Sequence, residues 1–291
     1  MIPSLHNGVS ALKSLTQGLQ VLGNNIANVN SLGYKSARAN YSDNFYMHLN
    51  DAETGVDGDP SNNIQQHGTG VHVGSISTDF NQGTHETTGL DLDLAIQGEA
   101  LPNGGGFFEI VDPVSEEIFY TRAGAFESTK EGLVVTRDQY RYQLQGANGA
   151  LEIKLENDET LLARRIEEDG KVNLVVSKAD PNGGSEDIIR NVGQLKLVNF
   201  QSPQYLRRAG NGFYSNGGPG QDLGGLLANF IPASGSNGKI KQYTLELSNV
   251  DLTNEFASMI SHQRSFQAGS RVITTSDMIL SEAVNLSLIH I

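Results

Sequence analysis

Apolar residues recur every seven positions at both ends of this chain. Near the N-terminus Leu5, Leu12, Leu19 and Ile26 keep that interval, with Leu15, Leu22 and Val29 three residues on from the last three. Near the C-terminus Leu252, Met259, Phe266, Ile273 and Leu280 keep it again, flanked by Phe256, Ile260 and Val284. A sustained seven-residue repeat draws an apolar stripe along a helix, and that stripe has to be buried against another helix. The other long helical pattern lies at the opposite end of the sequence. The two ends are therefore expected to pair, and the chain to pack beside copies of itself. Assembly rather than chemistry is the first implication.

Composition narrows the function classes. The formal charge is −13 with no basic run, which argues against nucleic acid and against anionic membrane surfaces. Cysteine is absent, so neither a disulfide framework nor a thiolate metal site is available. No stretch approaches the roughly 20 apolar residues that cross a bilayer, so no membrane insertion is expected. Met1 to Asn7 has no basic region and its apolar residues are periodic, a poor match to a secretory signal. Taken alone, these features describe a cytoplasmic protein.

Along the chain, a first helix is expected from Ser4 to about Asn30, with Ser4 as N-cap and Gly33 as the stop. Tyr34 to Asn50 is mixed and aromatic, and Asp51 to Gly68 reads as an exposed loop. From Gly70 the period changes to two. Leu90, Leu92, Leu94 and Ile96 alternate with Asp91, Asp93 and Ala95, which predicts a half-buried strand with both aspartates in solvent. Further strands are expected at 107–111, 118–121, 133–136 and 141–144. A small inserted block, Gly146 to Arg190, holds strands at 151–155, 161–166 and 172–177. Strand pattern resumes at 193–200, Gly210 to Gly238 reads mostly as loop, and 243–247 is a last strand. Asp251 is a good N-cap for a final helix of about 35 residues, on the order of 50 Å long.

This organisation is α+β. A mainly antiparallel β domain (70–247) sits between long coiled-coil-forming helices (1–33 and 248–291), with 34–69 as a connecting segment. The N-terminal helix is marginal by itself, because Gly8, Gly18, Gly23 and an asparagine cluster each lower its propensity.

Catalytic and metal chemistry finds little support. The seven histidines are scattered, and His67, His72 and His85 lack both zinc-site spacing and the carboxylates that would orient them as ligands. Asp91 and Asp93 present a carboxylate pair suited to calcium or acid–base work, but a solvated strand face explains them more simply. Asn103-Gly104-Gly105-Gly106 lacks the lysine of a phosphate loop, and no nucleophile elbow is present. No cofactor, catalytic group or metal ligand is assigned. A competing class, an enzyme or glycan-binding β protein with helical appendages, requires a convergent polar cluster that the sequence does not offer.

Five blocks in order carry a specific resemblance. They are Leu22 to Lys35 (LGNNIANVNSLGYK), Gly68-Thr69-Gly70-Val71 leading to Ser77–Gly83, Leu90–Gly98, Tyr120–Phe126, and Leu247–Leu252 continuing through Gln263–Ala268. Together they resemble the bacterial flagellar rod and hook axial proteins over about two thirds of the chain. The resemblance implies paired terminal helices lining a central export channel, and a β domain on the outside. It implies export through the flagellar type III apparatus without a cleaved signal peptide. The implied partners are copies of the chain and neighbouring axial proteins, and the implied location, the flagellar hook or basal body, replaces the cytoplasm. Phe45-Tyr46-Met47-His48-Leu49 resembles the element by which such substrates engage the export gate, through Phe45 and Leu49. Tyr142–Gly146, Asn199-Phe200 and Tyr205–Asn211 resemble the hook protein more than the rod. The hook is the first expectation and the distal rod the alternative, since the length lies nearer the latter and 146–190 is small for a hook insertion.

Overall fold

A computed structural model of the chain describes residues 3–50, 64–98, 106–154, 159–179, 185–217, 225–230 and 238–289. It divides into two compact units. One comprises Met1–Ala27, Ala37–Thr78 and Asp251–Ile291, and the other Asn28–Ser36 and Asp79–Val250.

The first unit holds both long helices, α1 (Pro3–Ala27) and α2 (Leu252–Ile289). Pro3 itself opens α1, where its missing N–H costs nothing. Asp251 caps α2 as expected. Its Oδ1 accepts from the Thr253 amide at 2.9 Å, and its Oδ2 from the Asn254 side chain at 2.6 Å. Four strands complete the unit: β1 (Ala37–Asp43), β2 (Tyr46–Asn50), β3 (Gln65–Gly68) and β4 (Val71–Thr78). β1 pairs with β4 and β2 with β3, both antiparallel. The expected loop from Asp51 to Gly68 is thus corrected at its end, where Gln65–Gly68 is a strand; residues 51–63 lie outside the described ones.

The second unit is antiparallel β throughout its described pairings. Its main sheet runs Arg207–Gly210, Phe213–Ser215, Ile118–Thr121, Phe107–Val111, Gln143–Gly146, Val134–Thr136, Phe126–Ser128. Leu197–Phe200 pairs with both Phe107–Val111 and Leu226–Phe230. A three-stranded meander (Glu159–Ile166, Lys171–Ala179, Ser185–Gln194) occupies the inserted block. Its Ile166, Val172, Leu174 and Val176 join the main core with Phe108, Ile110 and Leu144. Gly210 to Gly238, expected to be mostly loop, contains the strands Phe213–Ser215 and Leu226–Phe230.

Phe107 and Phe108 show why the core is hard to read from alternation. Neighbours on a strand face opposite ways, yet both rings are fully buried. Phe108 meets Phe126 edge-on at 5.3 Å in the main core. Phe107 enters a second, aromatic cluster with Phe80, Tyr120, Phe200 and Tyr214. Each such ring stabilises the fold by about 1.5–3 kcal/mol through burial.

The expected alternating strand at Leu90 to Ile96 is corrected for the same reason. The strand is Leu94–Gln97, and Leu94, Ala95 and Ile96 are all buried. Leu90 stands in a turn and is 51% exposed, while Asp93, expected in solvent, is buried. The fold is α+β, mostly antiparallel β with one N-terminal and one C-terminal helix.

Candidate functional site

Two arrangements stand out among the described residues: the helix pair in the first unit, which holds most of the side chains singled out by the sequence, and a buried charge cluster in the second.

Small residues set the approach of α1 to α2. A Cβ added at Gly8 would fall 3.0 Å from Ile273, and one at Gly269 would fall 3.1 Å from Leu12. The hydroxyls of Ser4 and Ser276 meet at 3.2 Å. The Ser14 hydroxyl on α1 donates to the Val71 carbonyl of β4 at 2.9 Å. Asn25 satisfies both backbone groups of Ala37 at the start of β1, donating to its carbonyl and accepting from its amide, at 2.8 and 2.9 Å. Its amide also reaches Glu255 on α2 at 3.1 Å. Burial pushes the Glu255 carboxyl up, against the lowering effect of that hydrogen bond.

The predicted packing residues divide between two environments. Leu5, Leu12, Leu15, Leu19, Leu22, Ile26 and Val29 are half-buried, as are Met259 and Ile273. Leu252, Phe256, Phe266 and Leu280 are exposed, together with Ile260, Met278, Ile279 and Val284. The C-terminal heptad stripe is thus covered in part within one chain, which leaves several large apolar side chains exposed along α2. Phe45, immediately before β2, is 94% exposed, and Leu49 on β2 is exposed as well.

Lys35, Arg122 and Glu246 form the second arrangement, with all three side chains fully buried. Lys35 Nζ lies 2.6 Å from Glu246 Oε1 and donates to the Asn81 carbonyl at 2.7 Å. Arg122 reaches Glu246 Oε2 at 3.4 Å and lies over the Phe107 ring. The Gly83 amide donates to Glu246 Oε1 at 2.9 Å. Burial, aided by the charge of Arg122, brings the Lys35 ammonium down to about 8 despite Glu246. Burial also drives Glu246 upward, but Arg122 and Lys35 override it and hold the carboxyl below its ordinary range. Such a cluster fixes chain segments in place; it offers no open position for a substrate.

Sequence reasoning passed over this cluster, although its parts stand in or beside the blocks that carry the resemblance. Lys35 ends the first block, Arg122 lies in Tyr120–Phe126, and Glu246 precedes Leu247. Asn249, from the last block, accepts from the Ser36 amide at 2.7 Å and donates to the carbonyls of Asp79 and Asn81. Gly33 has φ +63°, and a Cβ there would fall 2.7 Å from the Ala123 amide nitrogen. Gly124 is still tighter, since its Cβ would overlap the Leu94 carbonyl. These blocks are thus built around backbone approaches and buried polar bonds. The candidate histidines have separate partners: His72 meets Asn44 at 2.8 Å, and His85 meets Gln82 at 2.6 Å. Among the described residues no three His, Asp or Glu groups gather as a metal site. Asn103-Gly104-Gly105 lies outside the described residues.

Comparison with known proteins matches the same regions. Residues 5–35 match the flagella basal body rod protein family, and residues 102–174 the D1 domain of the flagellar hook protein FlgE/F/G family. Residues 241–286 match the C-terminal region of the flagellar basal body rod FlgEFG proteins. The flagellar basal-body rod protein FlgG of Bacillus subtilis is 36% identical over 98% of this chain and 99% of its own length. That of Caulobacter vibrioides is 31% identical over 97% and 98%. The flagellar hook protein FlgE of Borreliella burgdorferi is 36% identical, over 51% of this chain and 30% of its own. The chain belongs to the family of bacterial flagellar rod and hook axial proteins, which are structural subunits and not enzymes.

Proposed function

We propose that this chain is the distal rod subunit of the flagellar basal body, polymerising with copies of itself and with neighbouring axial proteins around an export channel. One observation carries the choice of rod over hook. The relatives that match end to end are named basal-body rod proteins, whereas the hook relative matches about half of the chain and a third of itself. The small inserted block agrees with this, and the hook, favoured by short motifs alone, becomes the second reading.

The exposed apolar face of α2 supports polymerisation. Phe256, Ile260, Phe266, Met278, Ile279 and Val284 are exposed along one helix, and contiguous exposed apolar surface marks interaction sites. Neighbouring subunits would cover it, burying at each site roughly 25 cal/mol per Å² of apolar area. Export through the type III apparatus, with Phe45 and Leu49 as the gate contact, is part of the same proposal and is supported by the exposure of both side chains.

Electron microscopy of the purified, polymerised protein tests the reading. A straight, rigid tube is the expected result. A curved, supercoiling tube would return the assignment to the hook, and a stable closed oligomer would remove it from both.

A further inference from the structure

We propose that the cavity beside the Thr129–Gly132 turn is a binding site for a small anion bearing a phosphate or carboxylate group. The cavity has a volume of about 280 Å³ and is lined by Thr129, Lys130, Glu131, Lys154, Leu161 and Arg164. Among the described residues its lining carries three cations against one carboxylate, on a chain whose net charge is −13. A local excess of positive charge inside an acidic protein repels the cations from one another unless an anion sits among them.

Lys154 already pairs with Glu152. Lys130 and Arg164 have no ion pair among the described residues. The Nε of Arg164 is buried and meets no acceptor there, which is rare for a polar atom withdrawn from water. A guanidinium presents its N–H groups as a planar fork that matches two oxygens of a phosphate or carboxylate. The turn adds a donor. Thr129 Oγ1 accepts from the Leu133 amide at 3.1 Å, so its own proton is available to an incoming oxygen. The volume lies at the lower end for ligand pockets, which selects a headgroup or monosaccharide over a large ligand.

The test is a thermal-melting titration of the full-length protein at constant ionic strength. One arm uses inorganic phosphate and the other glucuronate, which distinguishes a phosphate ligand from a carboxylated sugar. The expected result is a saturable rise in melting temperature in at least one arm, with a midpoint in the millimolar range. Arg164→Gln should move that midpoint at least tenfold. Arg164→Lys, which keeps the charge and loses the fork, should fall between. Lys178→Gln, outside the cavity, should leave the midpoint unchanged. A flat response, or a non-saturating rise shared equally by Arg164→Gln, overturns the proposal, because phosphate stabilises folded proteins generally by exclusion from their surface.

Discussion

The phenolic oxygen of Tyr41 lies 2.9 Å from Nε2 of His262. The other ring nitrogen, Nδ1, faces the Ser258 carbonyl at 2.8 Å, and a carbonyl can only accept. In the neutral ring Nδ1 therefore carries the proton, and Nε2 accepts from Tyr41. This bond ties β1 to α2, and α1 comes close beside it at Gly18, where an added Cβ would sit 1.9 Å from the phenolic oxygen.

Gly18→Ala should consequently destabilise the protein, although alanine is the better helix former. The helix-propensity gain is about 1 kcal/mol. Displacing Tyr41 removes a hydrogen bond of similar worth and disturbs the packing around it. A net loss of about 1 kcal/mol is expected. Gly23→Ala is the control: nothing lies within 4 Å of its added Cβ. It should stabilise by roughly 0.5–1 kcal/mol. Thermal unfolding followed by helix ellipticity gives both signs, and equal stabilisation by the two variants would refute the close-packing argument.

Asp93 is buried, whereas Asp91 two residues before it is half-buried. Oδ1 of Asp93 accepts from Arg137 at 2.7 Å and its Oδ2 from the Thr88 hydroxyl at 2.6 Å. Asp93→Asn should cost about 1–3 kcal/mol, since it weakens a charge-assisted bond at a buried site. Asp91→Asn should stay within about 0.5 kcal/mol. Urea titration of the two variants measures the difference, and similar midpoints would show that the buried bonds contribute little.

Substitutions at Glu246 and Lys35 should differ sharply. Glu246→Gln leaves two buried cations without their counter-charge and should cost about 3–5 kcal/mol. Lys35→Met leaves the Arg122–Glu246 pair neutral overall and should cost less than about 2 kcal/mol. The pH dependence has a definite sign. Lysine titrates near 10.5 when unfolded and near 8 here. Between those values the unfolded chain binds more protons, so the Lys35 contribution to stability rises with pH across that window. Glu246 acts at the acid end: its folded value lies below its ordinary 4.5. The stability it supplies is present above that value and lost as pH falls through the folded one. Denaturant midpoints of wild type and Lys35→Met between pH 8 and 10.5 check the first part, and an identical slope in both would contradict it.

The reach of the sequence followed the range of the interactions. The Asp251 cap was legible because its partners, Thr253 and Asn254, are adjacent in the chain. The heptads located both helices, since periodicity is local. Lys35 gave no sign of burial because its counter-charge stands 211 residues away. Asp93 looked exposed for a similar reason, its partner Arg137 being 44 residues distant. Alternation failed around Leu94 to Ile96 because both faces of that strand are covered. Gly8 and Gly18 read as weak points of a helix by propensity, whereas their surroundings make them the positions where neighbouring elements come nearest.

The terminal helices bear on how an axial subunit is delivered and assembled. α1 carries three glycines, each lowering helix stability by roughly 0.8–1.0 kcal/mol relative to alanine. Its apolar stripe is half-buried, and the facing stripe on α2 is exposed at Phe256, Phe266 and Leu280. Local opening is easiest where apolar contacts are few. In the monomer, amides across Leu12–Ile26 should exchange at least about a hundredfold faster than those of Phe107–Ile110, which lie in a fully buried strand. Polymerisation should close that gap, because neighbouring copies supply the missing burial. Phe266→Asp places a charge on the exposed face. It should leave exchange at Phe107–Ile110 unchanged while preventing both the polymer and the slowing of α1. Hydrogen exchange before and after polymerisation measures each part. Strong protection of Leu12–Ile26 in the monomer, or normal tubes from Phe266→Asp, would mean that the helix pair is self-sufficient and that assembly is sealed elsewhere.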